Sequence, residues 1–153
     1  MTPQLRTVLL LSLSVAACGT PLAAHAASSD SPVGEWRTID DKTGETRAIV
    51  AITQESTGEL SGKIIRTLDP TIPADRRCTA CTDERKNQLL TGLTIIRNMK
   101  KDGNHWEGGN ILDPASGSVY DCTMKLRKDG QELVVRGFVG LSLLGRSQTW
   151  VRN

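Results

Sequence analysis

The sequence predicts an all-β protein: a single up-and-down antiparallel β-barrel of about eight strands. Three observations carry this. Runs of hairpin length alternate almost without interruption with glycine-containing turns. Within the runs, apolar and polar residues alternate with the period of a half-buried sheet. Finally, Trp36 sits in the first run and Arg152 in the last. The end strands of a closed antiparallel sheet are neighbours, so these two side chains can stack and plug the base, a cation-π contact worth about 0.5 to 2 kcal/mol.

The strands are expected near 34–40, 46–55, 59–68, 92–100, 104–112, 117–127, 131–140 and 145–152. Gly34-Glu35-Trp36 opens the first, and Lys42-Thr43-Gly44 turns it into the second. Ser56-Thr57-Gly58, Lys101-Asp102-Gly103-Asn104, Asp113-Pro114-Ala115-Ser116-Gly117 and Lys128-Asp129-Gly130 supply further reversals, each with a glycine where a tight turn needs positive φ. In the run 117–127, Tyr120, Cys122, Met124 and Leu126 fall on one face and Asp121, Thr123, Lys125 and Arg127 on the other. The first face is read as the interior, with Tyr120, Met124 and Leu126 as its ligand-lining residues. A single Phe and a single Tyr leave few large aromatics to fill that interior, which favours a cavity over a solid core. A two-sheet sandwich would show the same periodicity.

Residues 1–26 read as an export signal: Arg6 is the basic start, Val8 to Ala17 the apolar stretch, and Ala24-His25-Ala26 the small-x-small cleavage site. The apolar stretch is short of the roughly 20 residues that a membrane-spanning helix needs, so no transmembrane helix is expected. Val15-Ala16-Ala17-Cys18 offers a different ending, in which Cys18 is lipidated and anchors the protein to the outer membrane. Cleavage after Ala26 is favoured, which places the protein in the periplasm or outside the cell, with 27–33 as a flexible leader and 34–153 as the barrel domain. The chain has 19 basic and 17 acidic residues, and losing Arg6 leaves the balance close to neutral. Such a balance gives no electrostatic argument for nucleic acid or for an anionic membrane.

One long excursion, Asp69 to Leu90, breaks the meander and holds Pro70, Pro73 and two close-set cysteines. Loops of this length are usually functional or disordered, and a disulfide is one way to order this one. In an oxidising compartment Cys78, Cys81 and Cys122 should yield one bridge and one leftover thiol. Cys78 with Cys81 closes the smaller loop, whereas pairing either with Cys122 would tie the loop to the sheet, and the sequence leaves both open. The spacing of Cys78 and Cys81 also admits thiol-redox chemistry, with Arg76 and Arg77 favouring a thiolate. A metal set of Cys78, Cys81, Cys122 and His105 has irregular spacing, so no metal and no cofactor are expected.

Other motifs have a plain reading beside a sharper one. Asp83-Glu84-Arg85-Lys86 could grip an anion through Arg85, but such a run is more often a solvated surface. His105-Trp106-Glu107 offers an imidazole and a carboxylate with no third group to orient them. No serine lies in a Gly-x-Ser-x-Gly turn. Gly140-Leu141-Ser142-Leu143-Leu144-Gly145 is unusually apolar for a connector; its leucines are expected to plug one barrel end rather than form an exposed lip.

Several segments together resemble one family: Gly34 to Asp41, Cys78-Thr79-Ala80-Cys81 followed by Glu84 to Gln88, Trp106 to Pro114, Tyr120-Asp121-Cys122, and Arg136-Gly137-Phe138 running into Ser142 to Trp150. The pattern is similar to the bacterial exported proteins grouped as domain of unknown function 2147. The resemblance implies a secreted or periplasmic lipocalin-like barrel with no established activity, and it carries over no catalytic residues. The Gly-x-Trp opening and the late arginine also resemble the wider calycin pattern. The expectation is therefore a non-enzymatic exported barrel that binds a small apolar or amphipathic ligand. The alternatives are an envelope module with a solid core that contacts a protein partner and, more remotely, a redox protein using Cys78 and Cys81.

Overall fold

In the computed structural model, which describes residues 30–153, eight strands follow one another in chain order. They are β1 (Gly34–Ile39), β2 (Thr46–Gln54), β3 (Leu60–Thr67), β4 (Thr94–Asp102), β5 (His105–Asp113), β6 (Ser118–Arg127), β7 (Glu132–Phe138) and β8 (Gly145–Arg152). Each pairs antiparallel with the next, and β8 returns to β1, so the sheet is a closed barrel and not a sandwich. The export signal, Cys18 and the start of the leader lie outside the described residues.

The seam between β1 and β8 carries only the ladder pairs Trp36↔Arg152 and Arg37↔Val151. Both lie at the sealed end. There the Arg152 guanidinium stands over the Trp36 ring at 4.3 Å from its centroid, as expected from the sequence. The same guanidinium donates to the carbonyls of Gly130 (2.7 Å), Ser31 (3.0 Å) and Val33 (3.2 Å), and Trp36 Nε1 donates to Pro32 O at 2.7 Å. Ser31 to Val33, expected in a flexible leader, are therefore part of the base, because their carbonyls satisfy donors that burial would otherwise strand.

Large side chains concentrate in this half. Trp36, Met99, Met124 and Leu133 are fully buried there, and Trp106, paired with Met124 across β5 and β6, is nearly so. Met99 turns inward against Gly109, where a Cβ would come within 2.5 Å of the Met99 sulfur and 2.2 Å of the Arg97 carbonyl. The turns at this end span two to five residues. The turns at the other end include the long excursion between β3 and β4.

That excursion is closed by a Cys78–Cys81 disulfide, which leaves Cys122 as a buried free thiol. Of the pairings left open by the sequence, the local one forms. Backbone bonds zip the loop on itself: Cys78 N to Gln88 O (2.9 Å), Asn87 N to Cys78 O (3.0 Å) and Leu90 N to Arg76 O (2.8 Å). Arg85, only 2% exposed, is neither a ligand grip nor a solvated charge. It is held by Asp83 and donates to Thr94 O at 3.2 Å, and so fastens the loop to β4. Glu84 adds an ion pair to Arg97 of β4. The turn between β5 and β6 supports the loop from below: Gly117, at φ +75°, touches Ala80 so closely that a Cβ would fall 2.0 Å from its carbonyl oxygen.

Candidate ligand cavity

Above the packed base the barrel is hollow. A cavity of about 1000 Å³ opens at the end opposite Trp36 and Arg152, at the upper edge of the usual range for ligand pockets, about 300 to 1,000 Å³. Its floor and walls are apolar: Val50 on β2, Ile64 on β3, Ile95 on β4, Ile111 and Leu112 on β5, Val135 on β7 and Trp150 on β8. Small residues keep it open. Ala48 and Gly137 occupy lining positions, and a Cβ on Gly137 would lie 3.3 Å from Ile111 and 3.4 Å from Tyr120.

Tyr120 lines the cavity, half-buried near the mouth end of β6. Met124 and Leu126 do not line it. They share the face of Tyr120, but β6 runs from mouth to base, so Met124 is completely buried in the closed half and Leu126 packs against that core. The alternation gave the face correctly and not the depth. The reading missed Arg47, Arg76, Gly137 and Trp150, all of which line the cavity. A usable signal existed for Arg47 and Gly137: once Trp36 and Arg152 mark the base, residues near the opposite strand ends must surround the mouth, whereas Trp150, two residues from Arg152, forms the floor and Arg76 lies in the long loop.

The mouth is polar and mostly self-neutralised. Arg47 bridges Asp40 and Asp69, with its Nη2 3.1 Å from Asp40. Asp40 also accepts from the backbone amides of Thr43 (3.0 Å) and Lys42 (2.9 Å). Those amides, with Arg47, hold its carboxyl at about 2, well below the usual range. Asp69 is lowered by the Thr71 hydroxyl and amide and then by Arg47. Asp41, just beyond β1, is lowered by Arg146 of β8, whose Nε lies 2.8 Å from its carboxylate. Asp113 accepts from Ala115 N and Ser116 Oγ, both at 2.9 Å.

The connector between β7 and β8 overturns the expected plug. Val139, Leu141, Leu143 and Leu144 are 68, 71, 86 and 80% exposed, and they form a lip beside the mouth rather than a stopper. The connector holds a short 3-10 turn, Ser142–Leu144, and its Val139 and Leu144 line the edge of the cavity while staying largely exposed.

The cysteines do not form a metal set, since Cys78 and Cys81 are oxidised together. Both are buried, at 0 and 1% exposure, whereas exchange-active pairs sit in partly exposed surroundings. Burial pushes the Cys122 thiol up to about 12, which keeps it protonated and unreactive. His105 lies 3.1 Å from Glu107 and 3.9 Å from Asp102 on the β4–β5 turn, at the sealed end and remote from the cavity. Their donor atoms lie within 4.8 Å of one another, so this exposed trio is what the described residues offer a cation.

A family model described as an uncharacterized protein conserved in bacteria (DUF2147) matches residues 34–152, which is the whole barrel. The chain belongs to this family. No curated protein matches it. Among solved structures, this DUF2147 member is similar to protein HP1028 from the human pathogen Helicobacter pylori, described as belonging to the lipocalin family. The identity is 16% and the TM-score 0.68, over 80% of this chain and 83% of that one. At that identity the likeness establishes the fold, an eight-stranded lipocalin-type barrel. No helix among the described residues is long and apolar enough to cross a membrane.

Proposed function

We propose that the protein is an exported, non-enzymatic carrier that takes a small apolar or amphipathic ligand into the open half of its barrel. The observation that carries this is the cavity of about 1000 Å³ with an apolar floor and a polar rim. Apolar walls reward burial of a hydrophobic body, and the rim orients whatever polar end remains in water. Among the described residues lining the cavity there is no histidine or cysteine, which supports binding over chemistry. Export rests on the signal-like residues 1–26.

The test is displacement of the neutral fluorophore N-phenyl-1-naphthylamine. The parent protein should bind it, while Gly137→Leu, which pushes a side chain between Ile111 and Tyr120, should weaken uptake about tenfold or more. Equal uptake by both proteins would remove the cavity from the account.

A second reading, an envelope module that contacts a protein, draws support from the exposed lip. Replacing Leu141 and Leu143 with serine should then abolish in-cell crosslinks to a partner while probe uptake persists. Crosslinks that survive would discard it.

A further inference from the structure

We infer that Arg76 is an anion-recognising residue and that the ligand is an amphipath with one negatively charged head. This deepens the carrier reading and rests on it. The argument is a charge inventory of the cavity wall, where the acidic and basic side chains are Asp40, Arg47, Arg76, Asp113 and Arg146. Four of the five are already engaged. Arg47 is shared by Asp40 and Asp69, Arg146 is held by Asp41, and Asp113 is satisfied within its own turn. Arg76 makes no side-chain hydrogen bond or ion pair among the described residues. Its neighbour Asp75 neither lines the cavity nor bonds to it.

The free side chain stands on a fixed backbone. Arg76 N donates to Pro73 O at 3.0 Å and Arg76 O accepts from Leu90 N at 2.8 Å, two residues before the disulfide. The guanidinium thus has a defined origin at the rim, with Ile72 and Leu90 lining the wall beside it. A planar cation over an apolar shaft matches a carboxylate or phosphate monoester carried on a hydrocarbon tail. The head accepts from the guanidinium, and the tail displaces water from the floor. A neutral amphipath gains only the second contribution. A cationic one meets Arg76 with repulsion.

The experiment compares dodecanoate, dodecyl phosphate and dodecan-1-ol as displacers of N-phenyl-1-naphthylamine at pH 8, with acetate and inorganic phosphate as tailless controls. The proteins are the parent, Arg76→Gln, Arg76→Lys and Arg77→Gln, the last replacing an arginine bonded to Asn87 O that does not line the cavity. The parent should prefer the charged amphipaths over the alcohol by about tenfold, the scale of one charge-assisted hydrogen bond. Arg76→Gln should erase that preference and leave the alcohol unchanged; Arg76→Lys should restore part of it, and Arg77→Gln should behave as the parent. Whether dodecanoate or dodecyl phosphate is preferred tells carboxylate from phosphate heads. Equal binding of acid and alcohol by the parent, or equal effects of Arg76→Gln and Arg77→Gln, overturns the inference and spares the carrier. Failure of every tailed probe removes both.

Discussion

Arg152 does with one side chain what several residues would otherwise do. It covers the Trp36 ring, and it satisfies the carbonyls of Gly130, Ser31 and Val33. Burial lowers its pKa from the ordinary arginine value, but arginine starts so far above neutrality that the charge persists. Arg152→Ala removes the cation-π contact and leaves three carbonyls without their donor. Its cost should be about 2 to 4 kcal/mol, read as a lower urea midpoint at constant slope. Arg152→Lys keeps the charge and loses the fork, so it should fall between the two. An alanine variant as stable as the parent would show that the base is held by packing of Trp36 alone.

At the scale of elements, the loop between β3 and β4 is fastened by ionised groups. Asp83 is held at about 2, first by the Arg85 side chain and amide. A carboxylate whose folded pKa is depressed contributes stability that is present above its unfolded pKa, near 3.9, and is lost as pH falls toward the folded value. The parent should therefore lose stability between about pH 4 and pH 2. Asp83→Asn should be less stable than the parent at pH 6, since it strands the buried Arg85, and should converge with it near pH 2. Parallel curves would assign the fastening to other contacts. This loop also shows how far the chain could be read in advance. All eight strands fell within two residues of their expected ends because glycine turns and alternation are local signals. The burial of Arg85 was not legible, since it depends on a carbonyl of β4 folding in beneath it. Depth along the barrel failed likewise for Met124 and Leu126: period two reports a face, while depth follows from which end is sealed.

At the scale of the molecule, stability and opening are separated in space. The base packs tryptophan, methionine and leucine, whereas the mouth is a rim of ion pairs over empty volume. The disulfide joins residues three apart, so in the chain-entropy model its reduction should cost at most about 2 kcal/mol. Hydrogen exchange should then quicken in residues 69–92 while the strand amides stay protected. Acceleration spread through the barrel would contradict this division. The seam between β1 and β8 extends the same logic. Hydrogen-bonded pairing joins them only next to the base, and nearer the mouth Asp41 and Arg146 clasp the two sides by charge. Thr38 and Ile39 on one side and Gly145 and Gln148 on the other all face the cavity there. The wall is thus a cask with one stave nailed at the bottom and tied at the top. Salt loosens such a tie and leaves the nails alone, so raised ionic strength should open this seam from the mouth downward and leave the base closed.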